Sequence, residues 1–156
     1  MTTLRDMQRR DLDRVYELEC RCFRTPWSKM SLRGELKNKL AKYLVYEEDG
    51  RVYGYCGMWM IFDEAHITNI AVDPERRREG IGKKILLGMM QAALLNGCTC
   101  MTLEVRETNY AAQALYRQFD FEKNGYRRGY YEDTGEGALI LWNTDIGKTV
   151  AKFTEL

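Results

Sequence analysis

Ile70-Ala71-Val72-Asp73-Pro74-Glu75-Arg76-Arg77-Arg78-Glu79-Gly80-Ile81-Gly82-Lys83 reads as an apolar strand, a turn, and a Gly-x-Gly that opens a helix among cationic side chains. Its physics is that of an anion cradle. The first N–H groups of a helix have no intrahelical partner, and the helix dipole adds partial positive charge there. Glycine lets the backbone approach a phosphate, because no Cβ stands in the way. Arg77, Arg78 and Lys83 can add charge-assisted hydrogen bonds. A Walker A loop needs Gly, four residues and then Gly-Lys-Ser/Thr, which this segment lacks. A dinucleotide fingerprint needs a third glycine where the chain has Ile85. Taken alone, the segment also fits a basic surface turn at a helix start.

Outward from this segment the chain alternates strand and helix patterns. Thr2 to Met7 reads as a strand, and Arg10 to Phe23 carries Leu12, Val15, Tyr16, Leu18 and Cys22 at helical spacing. Pro26-Trp27-Ser28 interrupts, and Ser28 can cap a second helix reaching to about Asn38. Tyr43 to Glu47 and Val52 to Phe62 form a hairpin through Glu48-Asp49-Gly50, with Glu64 to Val72 as its third strand. Ile81, Ile85, Met89 and Ala92 mark a helix closed by Asn96-Gly97. Met101, Leu103 and Val105 alternate with Thr102 and Glu104 in a strand, Asn109 to Phe119 is helical, and strands lie near Phe121 to Tyr130 and Gly137 to Trp142. Such an order predicts a mixed, largely antiparallel sheet with flanking helices.

Composition narrows the function. The 156 residues make one ordinary domain, and 24 Lys plus Arg against 23 Asp plus Glu give a net charge of +1. A chain so balanced has no global attraction for nucleic acid or anionic lipid, so any anion must be held locally. No run approaches the roughly 20 apolar residues of a membrane span, and Met1 to Asp13 lacks the apolar stretch of a signal peptide, so a cytoplasmic protein is expected. Five cysteines, with Cys20-x-Cys22 and Cys98-x-Cys100 among their spacings, fit neither a disulfide framework nor a structural zinc site. No metal is expected.

Arg77-x-x-Gly80-x-Gly82 resembles the acetyl-coenzyme A signature of the GNAT family of N-acetyltransferases. The likeness extends further. Pro26-Trp27-Ser28, Asn69 to Pro74, Leu103-Glu104-Val105-Arg106, Asn109, Ala114-Leu115-Tyr116 and Arg127-Arg128-Gly129-Tyr130-Tyr131 are similar, in order and spacing, to its bacterial ribosomal-protein-alanine N-acetyltransferase branch. The resemblance implies the GNAT acyl-CoA N-acyltransferase fold, an α/β domain with a mixed, mostly antiparallel sheet of about seven strands and about four helices. That domain would span residues 1–146, leaving a short tail at 147–156.

The same resemblance implies acetyl-coenzyme A as co-substrate. Its pyrophosphate is expected on Arg77, Arg78, Glu79, Gly80, Ile81, Gly82 and Lys83. Its pantetheine arm is expected against the main chain of Ile70, Ala71 and Val72, where two strands splay apart. Asn109 would cap its helix or touch the coenzyme. The implied acceptor is the N-terminal α-amine of a protein, the alanine that opens small-subunit ribosomal protein eighteen. A lysine or small-molecule amine, or a coenzyme-binding module without turnover, are the alternatives. One feature departs from the family: Asp120 stands before Phe121 where glycine is usual.

Glu104 and Tyr116 are the implied catalytic pair. Glu104 alternates with Leu103 and Val105, so it should face the cleft rather than the core, as general base. A glutamate's reference pKa near 4.3 lies below an α-amine's near 7.8, so an intervening water or a retuned carboxyl is expected. Read without the resemblance, Glu104 is a solvated strand carboxylate, paired with Arg106. Tyr116 would protonate the departing thiolate, and it lies two helical turns after Asn109 on one face. It also fits an ordinary half-buried aromatic. His66, the only histidine, has no triad partners in the sequence, and Cys98 and Cys100 have no evident base, so direct attack in a ternary complex is expected. Trp27, Tyr130 and Tyr131 would line the peptide entrance or simply pack.

Overall fold

The hairpin at the centre of the sequence nucleates the sheet. In the computed structural model, which describes residues 1–154, β2 (Ala41–Glu48) and β3 (Arg51–Ile61) turn through Asp49 and Gly50, both with positive φ (51° and 84°). Two left-handed residues give the twist that a two-residue hairpin turn needs. β1 (Thr2–Asp6) adds to β2, and β4 (Glu64–Val72) adds to β3, all antiparallel. β5 (Cys100–Arg106) then joins β4 in parallel, and β7 (Ala138–Asn143) and β6 (Glu122–Arg127) complete a seven-stranded sheet in the order β1-β2-β3-β4-β5-β7-β6.

Strand β2 shows how both faces are covered. Tyr43 and Val45 pack with Val15, Leu18 and Leu32 of α1 (Leu12–Cys22) and α2 (Lys29–Glu35). Leu44 and Tyr46 point the other way, into a larger cluster with Ile85, Leu86 and Met89 of α3 (Ile81–Leu95). Successive side chains of a strand alternate faces, so a strand buried on both sides reads as a near-continuous apolar run. The Leu12, Val15, Leu18 spacing puts one stripe of α1 against the sheet. Ser28 caps α2 as expected, its hydroxyl accepting from Ser31 N at 3.0 Å, but the helix stops at Glu35 rather than near Asn38.

The residues after Ile146 correct the expected tail. Ile146–Thr154 forms a fifth helix, α5, where about four helices were expected. Ile146 is fully buried, and Phe153 stacks on Phe119 with ring centroids 4.4 Å apart. Asp120, in the position usually held by glycine, has φ of 65°. Its carboxylate accepts from the Thr149 hydroxyl (2.8 Å) and Lys152 Nζ (2.9 Å) of α5. The left-handed conformation costs an aspartate some energy. Those two bonds offset it and tie α5 to the end of α4 (Tyr110–Gln118).

Candidate active site

The parallel pairing of β4 with β5 covers only Glu64, Ala65 and His66 against Cys100, Met101 and Thr102. Beyond it the two strands part. A bulge marks the place, because Gly57 pairs with Asn69 while Met58 pairs with Ile67, leaving Thr68 as the extra residue. Past the bulge, Asp73 N donates to Tyr53 O (2.8 Å), which sets the phase of the ladder. By alternation, Ala71 spends its main-chain groups on β3, while Ile70 and Val72 turn theirs into the gap. Of the three residues expected to present main chain to a ligand, two are therefore oriented to do so. The Val72 carbonyl already accepts a weak bond from Cys22 Sγ at 3.4 Å.

At the far end of the gap stands the cradle. Gly80, with φ of 82°, is the N-cap of α3, a conformation that only glycine adopts without strain. A Cβ on Gly82 would lie 3.6 Å from Leu115 Cδ2 and 3.8 Å from Val72 Cγ2. The signature loop, the end of β4 and α4 thus converge on that one residue. Asp73, 2% exposed, braces the turn: it accepts from Arg14 (2.7 Å), Arg21 (3.2 Å) and Glu75 N (3.0 Å). Burial alone would raise its pKa, but these donors outweigh that and hold it below the ordinary value.

The cations of the loop divide into two groups. Arg76 is structural, bonded to Glu79 and Glu48 and stacked over the Tyr53 ring at 4.4 Å. Glu79 is held by that same arginine. Arg77, Arg78 and Lys83 are exposed, and Arg77 Nη2 touches Cys22 Sγ at 3.6 Å. Arg78 has φ of 67°. These three, the α3 N-terminus and the open edge of β4 could hold a phosphate-bearing, extended ligand. Cys22 sits in this corner and was not expected there, since nothing local in the sequence places the end of α1 beside residue 77. Burial raises the pKa of its thiol, so it is not an activated nucleophile.

Asn109 caps α4, its Oδ1 accepting from Ala112 N at 3.2 Å. The side-chain amide keeps its donors. Two turns later, Tyr116 is 5% exposed and packs edge-on to Phe121 at 5.6 Å. Burial pushes its phenol well above the usual tyrosine value, so it holds its proton at neutral pH.

Glu104 lies on the sheet face opposite the buried Leu103 and Val105, as the alternation requires. Its expected neighbour is different. Arg106 turns to Asp133 (2.8 Å) and stacks on the Tyr131 ring at 4.0 Å. Arg127 takes its place, with Nη2 3.4 Å from Glu104 Oε1. Glu104 also lies close enough to Tyr130 to raise the pKa of the tyrosine's phenol. Beside this face, His66 meets Trp142 edge-on at 6.2 Å and bonds Glu64 at 3.0 Å, an ordinary strand residue. Trp27 packs at 6.5 Å from Trp59. Among the described residues, no cluster of His, Cys, Asp and Glu is placed to hold a metal, and no helix is long and apolar enough to cross a membrane.

Comparison with known proteins places the chain in a family. Residues 12–121 match the profile of the Acetyltransferase (GNAT) family. The chain is 32% identical over 145 residues to the ribosomal protein bS18-alanine N-acetyltransferase of Escherichia coli (strain K12), covering 90% of this chain and 96% of that one. It is 43% identical, over 90% of its length and 94% of the relative's, to a Bacillus subtilis (strain 168) protein provisionally designated with the same activity. The crystal structure of the Escherichia coli ribosomal-protein-S18-alanine N-acetyltransferase superposes with a TM-score of 0.84 at 30% identity, covering 91% of this chain and 92% of that one. Ard1 from Thermoplasma volcanium shares the fold, with a TM-score of 0.85 at 23% identity and coverage of 91% and 96%.

Proposed function

Because this chain belongs to the acetyltransferase (GNAT) family, we propose that it transfers the acetyl group of acetyl-coenzyme A to the N-terminal alanine of ribosomal protein bS18 in the cytoplasm. The observation that carries the reading is the splay of β4 from β5, with an anion cradle at one end and Glu104 beside the other. The coenzyme's pyrophosphate would rest on the N-terminus of α3 with Arg77, Arg78 and Lys83, and its pantetheine amides on the main chain of Ile70 and Val72. Glu104 would receive a proton from the amine, directly or through water. The neutral amine would attack the thioester carbonyl, and Tyr116, buried and protonated, would supply the departing thiolate with its proton.

Proton energetics favour an α-amine over a lysine. Their reference pKa values differ by about 2.6 units, so freeing a lysine costs about 3.5 kcal/mol more at neutral pH. A carboxylate with no histidine hydrogen-bonded to it suits the easier proton. The test is mass spectrometry of peptides incubated with the protein and acetyl-coenzyme A. Peptides that begin with alanine should gain one acetyl group, and blocked peptides none. Equal labelling of both would point to internal lysines, and no labelling with no thiol released would point to a binding module.

A further inference from the structure

Beneath the α1–α2 face runs a line of buried and half-buried hydrogen bonds that the cradle, Glu104 and Tyr116 do not use. Glu35, 8% exposed, accepts from Trp59 Nε1 (2.7 Å), Asn38 Nδ2 (3.0 Å) and the Tyr43 hydroxyl (3.1 Å). The Tyr43 ring crosses β3 over Gly57, where a Cβ would collide with it, and its hydroxyl reaches Thr68 Oγ1 at 3.2 Å. Thr68 Oγ1 lies 2.8 Å from Asn69 Oδ1, and Asn69 Nδ2 donates to Glu19 at 3.1 Å. Thr68 is the bulged residue, two positions past His66, where the pairing of β4 with β5 ends. Its hydroxyl therefore stands at the throat of the splay.

The hydrogens in this line do not balance. Three contacts, Glu35 to Tyr43, Tyr43 to Thr68 and Thr68 to Asn69, each need one hydrogen between oxygens. With Glu35 ionised, Tyr43 and Thr68 own one apiece, so the line is one proton short. A proton on Glu35 completes it: Glu35 then donates to Tyr43, Tyr43 to Thr68, and Thr68 to Asn69. Glu35 makes no ion pair among the described residues; its hydrogen-bond partners are the neutral Asn38, Tyr43 and Trp59.

On the acetyl-transfer reading, an ammonium that becomes an amide loses two protons, of which the leaving thiolate recovers one. We propose that Thr68 Oγ1 accepts one of them and that Tyr43 passes the charge to Glu35, a second proton acceptor beside Glu104. The amine N–H bond breaks as a Thr68 O–H bond forms. Thr68's own hydrogen, turned from Asn69 to Tyr43, moves to the Tyr43 oxygen, and Tyr43's moves to Glu35. One proton enters the line and the Glu35 carboxylate is neutralised. Afterwards the proton leaves to solvent, and the line is again one short.

Thr68→Val tests this, because it keeps the shape of the side chain and removes the hydroxyl. Thr68→Ser restores the hydroxyl. With a peptide that begins with alanine, thiol release by Thr68→Val should fall about 10²-fold in kcat, the low end for losing an acid–base group. Thr68→Ser should stay close to wild type, and acetyl-coenzyme A affinity by calorimetry should be the same for all three. In mixtures of light and heavy water the wild-type rate should fall along a curve, as several protons move together, and that curvature should vanish in Thr68→Val. Unchanged kcat in Thr68→Val overturns the proposal. So does a Thr68→Ser protein as slow as Thr68→Val, which would make packing the cause. If the wild type leaves the peptide untouched but releases thiol with a polyamine, the acceptor assignment has failed, and the same ratios are read on the polyamine. No turnover with either acceptor overturns both readings.

Discussion

Arg127, at the end of β6, reaches across β7 to place its guanidinium 3.4 Å from the carboxylate of Glu104 on β5. The arginine is half-exposed, so the pair adds little to stability. Its consequence is orientation. The arginine meets the proposed base on the open face of the sheet. Glu104→Gln should therefore lower kcat by about 10²- to 10⁴-fold with little change in coenzyme affinity. Arg127→Ala, which leaves the carboxylate in place, should cost no more than about fivefold, the ceiling for an exposed pair worth up to ~1 kcal/mol. Steady-state kinetics with an alanine-initiated peptide separate the two. Equal losses would mean that Glu104 acts only as a partner of Arg127.

Tyr116→Phe should lower kcat over the same range, about 10²- to 10⁴-fold, while the protein stays folded. The ring still packs on Phe121, and among the described residues no hydrogen bond to the hydroxyl is lost. Near-normal thiol release by a folded Tyr116→Phe protein would remove the tyrosine from the mechanism.

Gly82→Asp should weaken acetyl-coenzyme A binding severely. A Cβ there meets only ordinary contacts with Leu115 and Val72, so the fold tolerates it. An acidic residue in the first turn even suits the helix dipole. The loss would come from a negative charge and a side chain where the pyrophosphate belongs. Calorimetry on the folded variant checks this, and unchanged affinity would place the coenzyme elsewhere.

At Asp120 the strain and its compensation can be separated. Asp120→Gly removes the left-handed strain along with the bonds to Thr149 and Lys152, so its net effect on stability should be small. Asp120→Ala keeps the strain and loses the bonds, and should be less stable than Asp120→Gly by about 1–3 kcal/mol. Urea unfolding measures both. An alanine variant as stable as the glycine variant would show that the left-handed conformation carries no strain at this position.

Acid should loosen the turn before the cradle. The folded pKa of Asp73 lies below its ordinary value, so its contribution is fully present above the unfolded pKa of about 3.9 and is lost as pH falls through the lower, folded value. Asp73→Asn should be less stable than wild type at neutral pH, and its stability should fall less steeply as pH drops from about 5 toward 2. Unfolding midpoints across that range test the sign, and parallel curves for the two proteins would refute it.

Much of this molecule is legible in its sequence. Strand and helix periods, the Asp49-Gly50 turn, the Ser28 and Asn109 caps and the Gly80 helix start are local, set by residues within a few positions of one another. For the same reason the face on which Glu104 lies could be read from Leu103 and Val105 alone. The helix after Ile146 was missed because its apolar positions, Ile146, Val150 and Phe153, matter only once α3 and Phe119 stand beside them.

The partners of the charged side chains belonged to tertiary structure. Arg106 is two residues from Glu104, yet its carboxylates come from Asp133 and Glu136, and Glu104 draws Arg127 from across β7. Cys22 meets Val72 and Arg77 from fifty or more positions away. Glu35, Tyr43 and Thr68 carry no motif, and they form a line only because Gly57 lets a tyrosine ring cross β3 to a bulge in β4. By itself the sequence determined which residues repeat in which period and which loop can cradle an anion, because those properties follow from backbone geometry over a few residues. Which acid meets which base, and where the sheet opens, was decided by packing between distant segments. Hydrogen bonds and ion pairs act over a few ångströms, and only the folded chain sets that distance.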